Sequence, residues 1–537
     1  MRPNRLVLLL ATILPSFTVA ADLLPPDRPI ESVIDHYIDA RLATSKSKAV
    51  DQADDYTLIR RLTLDLVGRI PTPAESKAFV ESKDAKKREQ LVDRLMASGA
   101  FVRHQANQFD AMISGPSSRT SGIRDYLVKA LGSNKSWDVI FRELLVPNDD
   151  DAATKGSGEY LKTRITDLDR VTNDVSVTFF GVNVSCAQCH DHPLVQDWKQ
   201  DHFFGMKSFF ARSFDNGGFL AERDDATVKF KPTKGPEKTA KMMFLTGKTF
   251  NPPARKEQTK EEEIKERQKF EQAKKDKKSP PPPSFSARAK LVEIALQTEE
   301  AVFFSKAISN RLWHRFLGYG LVMPLDQMHS ENPASHPELL QWLGRDMANH
   351  QYDLRRMIRG IVLSKTYSRS SKWTGDIPPA PGVFAVAQLK PLTPMQLAAS
   401  MRVAVADPAT FEGKPEDVEK RLESIENSAR GFAGNIAAPT DDFQIGVSEA
   451  LLFSNSDRVE KEFLNDGGDR LIGKLKTIKD PTQAVELMIS STLCRPATPD
   501  EKKLLTEYLQ RRTDRSADAQ RQILWSLLSG AEFRFNY

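Results

Sequence analysis

Two cysteines and a histidine stand together in the sequence as Cys186-Ala187-Gln188-Cys189-His190. This spacing is the one that attaches c-type haem. The two thiols can form thioethers to the vinyl groups on one edge of a porphyrin, and the adjacent imidazole can bind the iron. The motif therefore predicts covalent haem c on Cys186 and Cys189, with His190 as an axial ligand of the iron.

The second axial position of such an iron has several candidates. Residues 198–210 predict a helix that carries His202 and Met206 one turn apart, so that both side chains point the same way. Either side chain can reach the iron or pack beside neighbouring phenylalanines, and Met323 and Met328 are remoter candidates. An iron without this ligand is open to small molecules, so the sixth ligand separates electron transfer from ligand chemistry.

The same segment allows other chemistry. One alternative is a hydrolytic or binding protein that holds zinc or another divalent cation. The ligands of that cation would come from the cysteine pair and from His190, Asp191, His192 and His202. A disulfide between the two cysteines is a further alternative in an exported protein, which would then be a secreted interaction protein. The second half shows no catalytic constellation around its scattered histidines, His314, His329 and His336.

The N-terminus predicts export. Arg2 and Arg5 precede an unbroken apolar run over residues 6–14, and small residues end at Ala20, which is typical of a signal peptide over residues 1–20. The run is about half as long as a membrane-spanning helix requires. We expect a mature protein in the periplasm or at the cell surface, without an integral membrane span, whose partner is a redox protein or a cell-envelope component.

Composition and charge narrow the remaining classes of function. The formal net charge of +5 is too small, and the charges too interspersed, to indicate a nucleic-acid partner. Three cysteines do not make a disulfide scaffold, and the isolated Cys494 is expected to be a small buried hydrophobe. The sequence contains no phosphate loop, nucleophile elbow or metalloprotease helix, so it does not decide whether the chain is an enzyme.

Helical patterns lie on both sides of the cysteine motif. Apolar residues at helical spacing predict helices over 56–67, 171–180 and 301–317, which end at Gly68, Gly181 and Gly318. The second of these helices delivers the chain to the cysteines. Capping boxes are predicted where a hydroxyl residue precedes a Glu or Gln by three positions, at Thr72, Ser335, Thr393 and Thr498.

These patterns predict a mainly α protein in which two helical domains are joined by a small β insert and a charged, proline-ended linker. The length of 537 residues is enough for such an arrangement. Alternating residues indicate the β insert, and an almost wholly polar run followed by prolines indicates the linker, a solvated helical or disordered spacer. The predicted segments are 1–20 (signal peptide), 29–215 (helical domain with the motif), 218–250 (β insert), 254–284 (linker) and 286–537 (second helical domain).

Long stretches of the chain resemble a known pair of domains. The sequence RRLTLDLVGRIP at 60–71 and the sequence CAQCHDHP at 186–193 resemble the planctomycete cytochrome-type domain of exported proteins. Residues 310–322 and 332–340 resemble the companion domain that usually follows it. The resemblance covers most of the mature chain and implies the two-domain arrangement and a cytochrome-like character. It implies no activity, because both domains are of unknown function.

Overall fold

The computed structural model describes residues 23–115, 122–193, 195–253, 259–439 and 446–537. The chain is mainly α-helical, as predicted, and its few strands are short. The predicted signal peptide, residues 1–20, lies outside the described residues. No helix in the described ranges is long and apolar enough to cross a membrane.

The helices before the cysteine motif form the first part of the fold. They are α1 (Ile30–Thr44), α2 (Asp55–Val67), α3 (Pro73–Glu81), α4 (Lys87–Ala97), α5 (Gly99–Ser114), α6 (Arg124–Gly132), α7 (Trp137–Leu145), α8 (Glu159–Lys162) and α9 (Leu168–Phe180). The predicted capping box at Thr72 is present, with Glu75 as its partner. The predicted end of α2 at Gly68 is also confirmed, in the left-handed conformation (φ 77°). Only glycine fits there without strain, because a Cβ would also lie 2.4 Å from Nδ1 of His104.

The β insert consists of three antiparallel hairpins that follow helix α10 (Gln200–Ser208). Their strands pair as β1 (Ser213–Asp215) with β2 (Leu220–Glu222), β3 (Lys229–Phe230) with β4 (Lys238–Thr239), and β5 (Met242–Met243) with β6 (Thr249–Phe250). The insert packs on α10, where the rings of Phe204 and Phe230 stack 4.1 Å apart. Gly205 permits this approach, since a Cβ there would lie 2.4 Å from Cβ of Met243. The predicted β character of residues 218–250 is confirmed, but the first strand begins earlier, at Ser213.

The charged linker forms helix α11 (Lys260–Asp276), in which no residue is buried. Of the two predicted forms, a solvated helix or a disordered spacer, these residues therefore adopt the helix. Thr259 and Glu262 form a capping box at its start. The helix still contacts the insert, because the Phe270 ring meets the edge of Phe214 at 5.4 Å and its carbonyl accepts a hydrogen bond from Asn216.

Helices return after the linker and continue to the end of the chain. They are α12 (Ala287–Ala295), α13 (Val302–Leu317), α14 (Pro337–Asn349), α15 (Leu354–Leu363), α16 (Pro394–Ala404), α17 (Pro415–Ala433), α18 (Val447–Asn455), α19 (Asp457–Phe463), α20 (Leu471–Leu475), α21 (Pro481–Leu493), α22 (Pro499–Arg511), α23 (Ser516–Ser529) and α24 (Ala531–Arg534). Strand β7 (Lys390–Pro391) pairs with β8 (Phe535–Asn536).

The capping boxes predicted for this part are confirmed at Thr393 and Thr498 but not at Ser335. Helix α14 begins one residue later than a cap at Ser335 requires, and its N-cap is His336 without a side-chain hydrogen bond. Tertiary packing overrides the local signal. The Ser335 N–H is held by the Leu321 carbonyl, and the buried His336 ring packs 5.5 Å from that of Phe384.

One hydrophobic core joins helices from both sides of the insert and linker. Helix α13 packs against α9, and α12 packs against α7. At the centre of this core the Phe304 ring of α13 lies 4.8 Å from that of Phe141 in α7. The predicted domain bounds at 215 and 286 remain predictions, but packing is continuous across them. A second core is formed by residues 392–533, to which α2 and the turn after it contribute Leu64 and Ile70.

Helix α2 also carries a buried carboxylate that accepts hydrogen bonds from distant parts of the chain. Asp65 is 7% exposed, and the Lys390 ammonium donates to both of its oxygens at 2.8 Å. The Tyr367 hydroxyl and the Asn536 amide donate to the same carboxylate at 2.9 and 2.8 Å. Burial lowers the pKa of Lys390, and the Asp65 charge opposes that shift. The ion pair therefore holds α2, β7 and β8 together.

Two arginines of α2 extend this junction. The Arg60 guanidinium donates to three main-chain carbonyls near the end of the chain, those of Glu532, Phe533 and Phe535. The Arg61 guanidinium donates to the carbonyls of Tyr367, Arg369 and Tyr537. The stretch that resembles the cytochrome-type domain thus acts as a structural junction with the second half.

We expect Asp65→Asn to lower the free energy of unfolding by about 3–5 kcal/mol, because it leaves the Lys390 ammonium buried without its counter-charge. Urea denaturation followed by tryptophan fluorescence measures the loss. The matched control is Asp457→Asn, which removes an exposed i,i+4 ion pair with Lys461 and should change stability little. Equal effects of the two substitutions would contradict this account of the junction.

Stability should also fall as the pH falls below about 6.5. His104 is 5% exposed, and its pKa is lowered to about 3, mainly by burial and secondly by the Arg315 charge. Between the ordinary value of 6.5 and that value, the unfolded chain binds the proton that the folded chain excludes. The free energy of unfolding therefore decreases with falling pH, by up to about 1.4 kcal/mol per pH unit.

His336 adds a second such group, because burial, and then the Arg41 charge, lowers its pKa to about 4. Melting temperatures measured from pH 7.5 to pH 5 test this slope. We expect His104→Gln to reduce the slope, whereas the control His36→Gln, at an exposed histidine, should leave it unchanged.

Candidate functional site

The cysteine motif lies on a 3-10 turn, Ser185–Gln188, that follows α9. Val184 and Ala187 are fully buried and fix the turn to the core, whereas Cys186 and Cys189 are exposed. Residues three apart in such a turn lie on the same side of it. Cys186 lies in the turn and Cys189 directly follows it, so both cysteines are exposed at one turn.

Both thiols are free, so the disulfide alternative is not formed in this structure. The third cysteine, Cys494, is buried at the end of α21, as predicted. Burial raises the pKa of its thiol to about 11. The chain therefore offers two reactive positions for a thiol-specific reagent and one protected position.

His190 is exposed beside the cysteines, and its Nδ1 lies 2.7 Å from the main-chain carbonyl oxygen of Asp191. A carbonyl oxygen only accepts hydrogen bonds, so Nδ1 must carry the hydrogen. In the neutral ring Nε2 then keeps its lone pair. Metal-binding histidines commonly donate one ring N–H in this way while the other nitrogen binds the metal.

Hydrogen bonds fix the motif to the two helices that flank it. The Gln188 amide donates to Asp169 of α9 at 2.8 Å, and the Gln200 amide of α10 donates to the Gln188 carbonyl at 3.3 Å. The Asp191 carboxylate accepts the Gln200 main-chain N–H at 2.9 Å, at the start of α10. The Asp169 carboxylate is further paired with Lys207 of α10. The motif is thus held between α9 and α10.

Two of the predicted metal ligands, Asp191 and His192, form hydrogen bonds that stabilise the loop around the motif. Besides the role of Asp191 at the start of α10, Nδ1 of His192 accepts the Val195 main-chain N–H at 3.1 Å. The His192 main-chain N–H donates to the Trp198 carbonyl at 2.8 Å. In the part of the chain that the structure describes, no group of three or more His, Cys, Asp or Glu side chains is placed to hold a metal ion.

The structure uses both predicted sixth ligands in α10 for packing and capping. Met206 is fully buried in the core. Nδ1 of His202 accepts the Lys199 N–H at 3.2 Å, and the His202 ring meets the edge of Trp198 at 5.9 Å. Both side chains therefore have packing roles, which the sequence allowed as the alternative to iron binding. Of the remoter candidates, Met328 packs on Gly181, where a Cβ would lie 3.0 Å from the Met328 sulfur.

The structure also brings a segment to the motif that sequence reasoning missed. Residues 326–330, which follow α13, contact the chain on both sides of the cysteine motif. More than 130 residues separate the partners along the chain, as for Ser330 and Asp197. No periodicity or local motif in the sequence signals such a contact.

Two cavities lie away from the motif. One of about 290 Å³ is lined by residues of α2, α4, α5, α16 and α17, including His104 and Arg94. The other, of about 650 Å³, is lined by residues of α3, α21 and α22. The cysteine motif therefore lies on the exposed turn and lines neither of these two cavities.

Comparison with known families identifies both parts of the chain. Residues 33–214 match the family PSCyt2, described as a protein of unknown function (DUF1549). Residues 287–431 match PSD1, described as a protein of unknown function (DUF1553). Along the chain, the PSCyt2 match is thus followed by the PSD1 match. The resemblance stated from the sequence is confirmed by these matches.

The PSCyt2 match includes the whole cysteine motif and the junction helix α2. The PSD1 match includes α12 to α16 and residues 326–330. No curated protein and no solved structure matches the chain. The comparisons therefore establish the domain pair without an activity.

We expect iodoacetamide to label Cys186 and Cys189 in the folded protein that carries no haem, and to leave Cys494 unlabelled. The first two thiols are exposed, whereas Cys494 is buried with a raised pKa. Peptide mass spectrometry after a short reaction under reducing conditions measures the labelling. Labelling in urea is the control, since all three thiols should then react. Protection of Cys186 or Cys189 in the folded state would contradict their exposure at the turn.

Proposed function

We propose that this chain is an exported c-type haem protein that transfers electrons or senses the redox state of a partner. Haem would be attached at Cys186 and Cys189, with His190 as one axial ligand. The observation that carries the proposal is the geometry of the motif: two free cysteines are exposed at one turn. The adjacent imidazole has its Nδ1 engaged by a carbonyl, which keeps Nε2 for iron.

The donor set fits attachment. Each thiol can add across a vinyl double bond, so that sulfur bonds to one carbon and the thiol hydrogen ends on the other. The Asp191 carbonyl then holds the orientation of the His190 ring. A bound haem would supply one-electron transfer at iron, and the chain would supply attachment, orientation and the surroundings of the iron.

The exposure of the motif favours electron transfer to another protein over chemistry in an enclosed pocket. Cys186, Cys189 and His190 all lie at the surface, where a partner can approach. The predicted signal peptide agrees with this function, because c-type haem is attached outside the cytoplasm. The proposed partner is a redox protein or another component of the cell envelope.

The test is production of the full chain, with its own N-terminus, in a bacterium that has a working haem-attachment system. We expect the purified protein to show a Soret band and a mass increase of one haem that survives denaturation. The double substitution Cys186→Ala with Cys189→Ala should abolish both signals. Cys494→Ala is the matched control and should retain them.

Exported, folded wild-type protein without covalent haem would overturn the proposal. Metal analysis of the same sample would then test the alternative of a zinc-type binding or hydrolytic protein. A metal-free protein without haem would leave the secreted interaction protein as the remaining interpretation.

A further inference from the structure

The loop that carries the cysteine motif is held at both ends by residues 326–330 of the PSD1 domain, which we call the clamp segment. Before the motif, Val182 forms a β-bridge with Gln327. The Asn183 N–H donates to the Asp326 carbonyl at 2.8 Å, and the Asn183 amide donates to the Asp326 carboxylate at 3.2 Å. The clamp segment thus pairs with the chain just upstream of the turn.

One more contact strengthens this upstream pairing. The Met328 N–H donates to the Gly181 carbonyl at 3.0 Å. Gly181 is in the left-handed conformation (φ 67°), and the side chain of Met328 packs where a Cβ would otherwise lie. The end of α9 and the clamp segment therefore approach closely because residue 181 has no side chain.

The clamp segment also binds the chain downstream of the motif. The Ser330 N–H and the Ser330 hydroxyl donate to the two oxygens of Asp197 at 2.8 and 3.0 Å. Asp197 follows the motif by only a few residues and precedes α10. Four residues of the clamp segment, Asp326, Gln327, Met328 and Ser330, therefore hold the loop from both sides.

His329 stands between the anchored residues Met328 and Ser330. Its Nε2 lies 3.2 Å from Oε1 of Gln327, so this nitrogen donates and Nδ1 is the acceptor. In the described part of the chain, Nδ1 of His329 is buried without a hydrogen-bond partner. Within the protein, the lone pair of this nitrogen is therefore unused and available to a metal ion.

His329 is also close to the loop that carries the motif. Its chain neighbours Met328 and Ser330 are hydrogen-bonded to Gly181 and Asp197, on the two sides of that loop. His202 and Met206, the ligands suggested by the sequence, are engaged in α10 instead.

From this arrangement we propose that the PSD1 domain completes the haem site, with His329 as the second axial ligand of the iron. The proposal rests on the proposed function, because it requires haem at Cys186 and Cys189. It makes the iron site a joint product of two domains. The clamp segment would position His329, and the Asp197–Ser330 contact would be a positioning contact.

The experiment uses the full chain loaded with covalent haem and records ultraviolet–visible and electron paramagnetic resonance spectra of the ferric form. We expect wild-type protein to be six-coordinate and low-spin. His329→Ala should convert most of it to the high-spin form, and added imidazole should restore the low-spin spectrum. The exposed histidine variant His36→Ala is the control and should keep the wild-type spectrum.

Ser330→Ala is a second variant, which keeps His329 and tests whether the Asp197–Ser330 contact positions it. We expect a mixture of spin states from it, with an unchanged far-ultraviolet circular dichroism spectrum. This variant decides the question if His329→Ala does not fold.

Other outcomes would overturn the inference. A high-spin wild-type protein, or an unchanged low-spin spectrum in both His329→Ala and Ser330→Ala, would do so. Loss of the low-spin spectrum in His192→Ala, His202→Ala or Met206→Leu, with His329→Ala unaffected, would assign the ligand elsewhere. Absence of covalent haem from wild-type protein would instead be the failure of the proposed function, and the mass spectrum distinguishes the two cases.

Discussion

Burial of the Asp65 carboxylate requires an opposite charge and hydrogen-bond donors from other parts of the chain. A charge with 7% exposure is costly unless an opposite charge and hydrogen-bond donors surround it. Lys390 supplies the opposite charge, and Tyr367 and Asn536 supply further hydrogen-bond donors. All three residues come from the second half of the chain. Helix α2 can therefore be buried only when the second half is folded around it, which makes the two family domains interdependent.

The same interdependence extends to the candidate site. The PSCyt2 domain supplies the cysteines and His190, but the loop that presents them is fastened by Asp326 and Ser330 of the PSD1 domain. Helix α9, which leads into the motif, packs against α13, which leads into the clamp segment. Packing of one helix pair thus fixes the relative position of both parts of the site.

The sequence predicted the local features well and the long-range ones poorly. Gly68 and Gly181 end helices, and Thr393 and Thr498 begin them, because these signals act within one helical turn. The chemistry of the cysteine motif is likewise local, although haem itself stays a prediction. The Ser335 signal gave a wrong cap because packing of the neighbouring His336 decided the start of α14. The shared core and the clamp segment join residues that are far apart in sequence, so no periodicity could indicate them.

Helix α11 has no buried residue, although it lies between two halves that share a core. The chain leaves that core after the insert and enters it again at α12, so the connection between them runs over the surface. The entropy of closing such a loop changes only slowly with its length. Relatives could therefore carry connections of very different size without altering the core, and a protease cut within α11 would leave two fragments that remain associated.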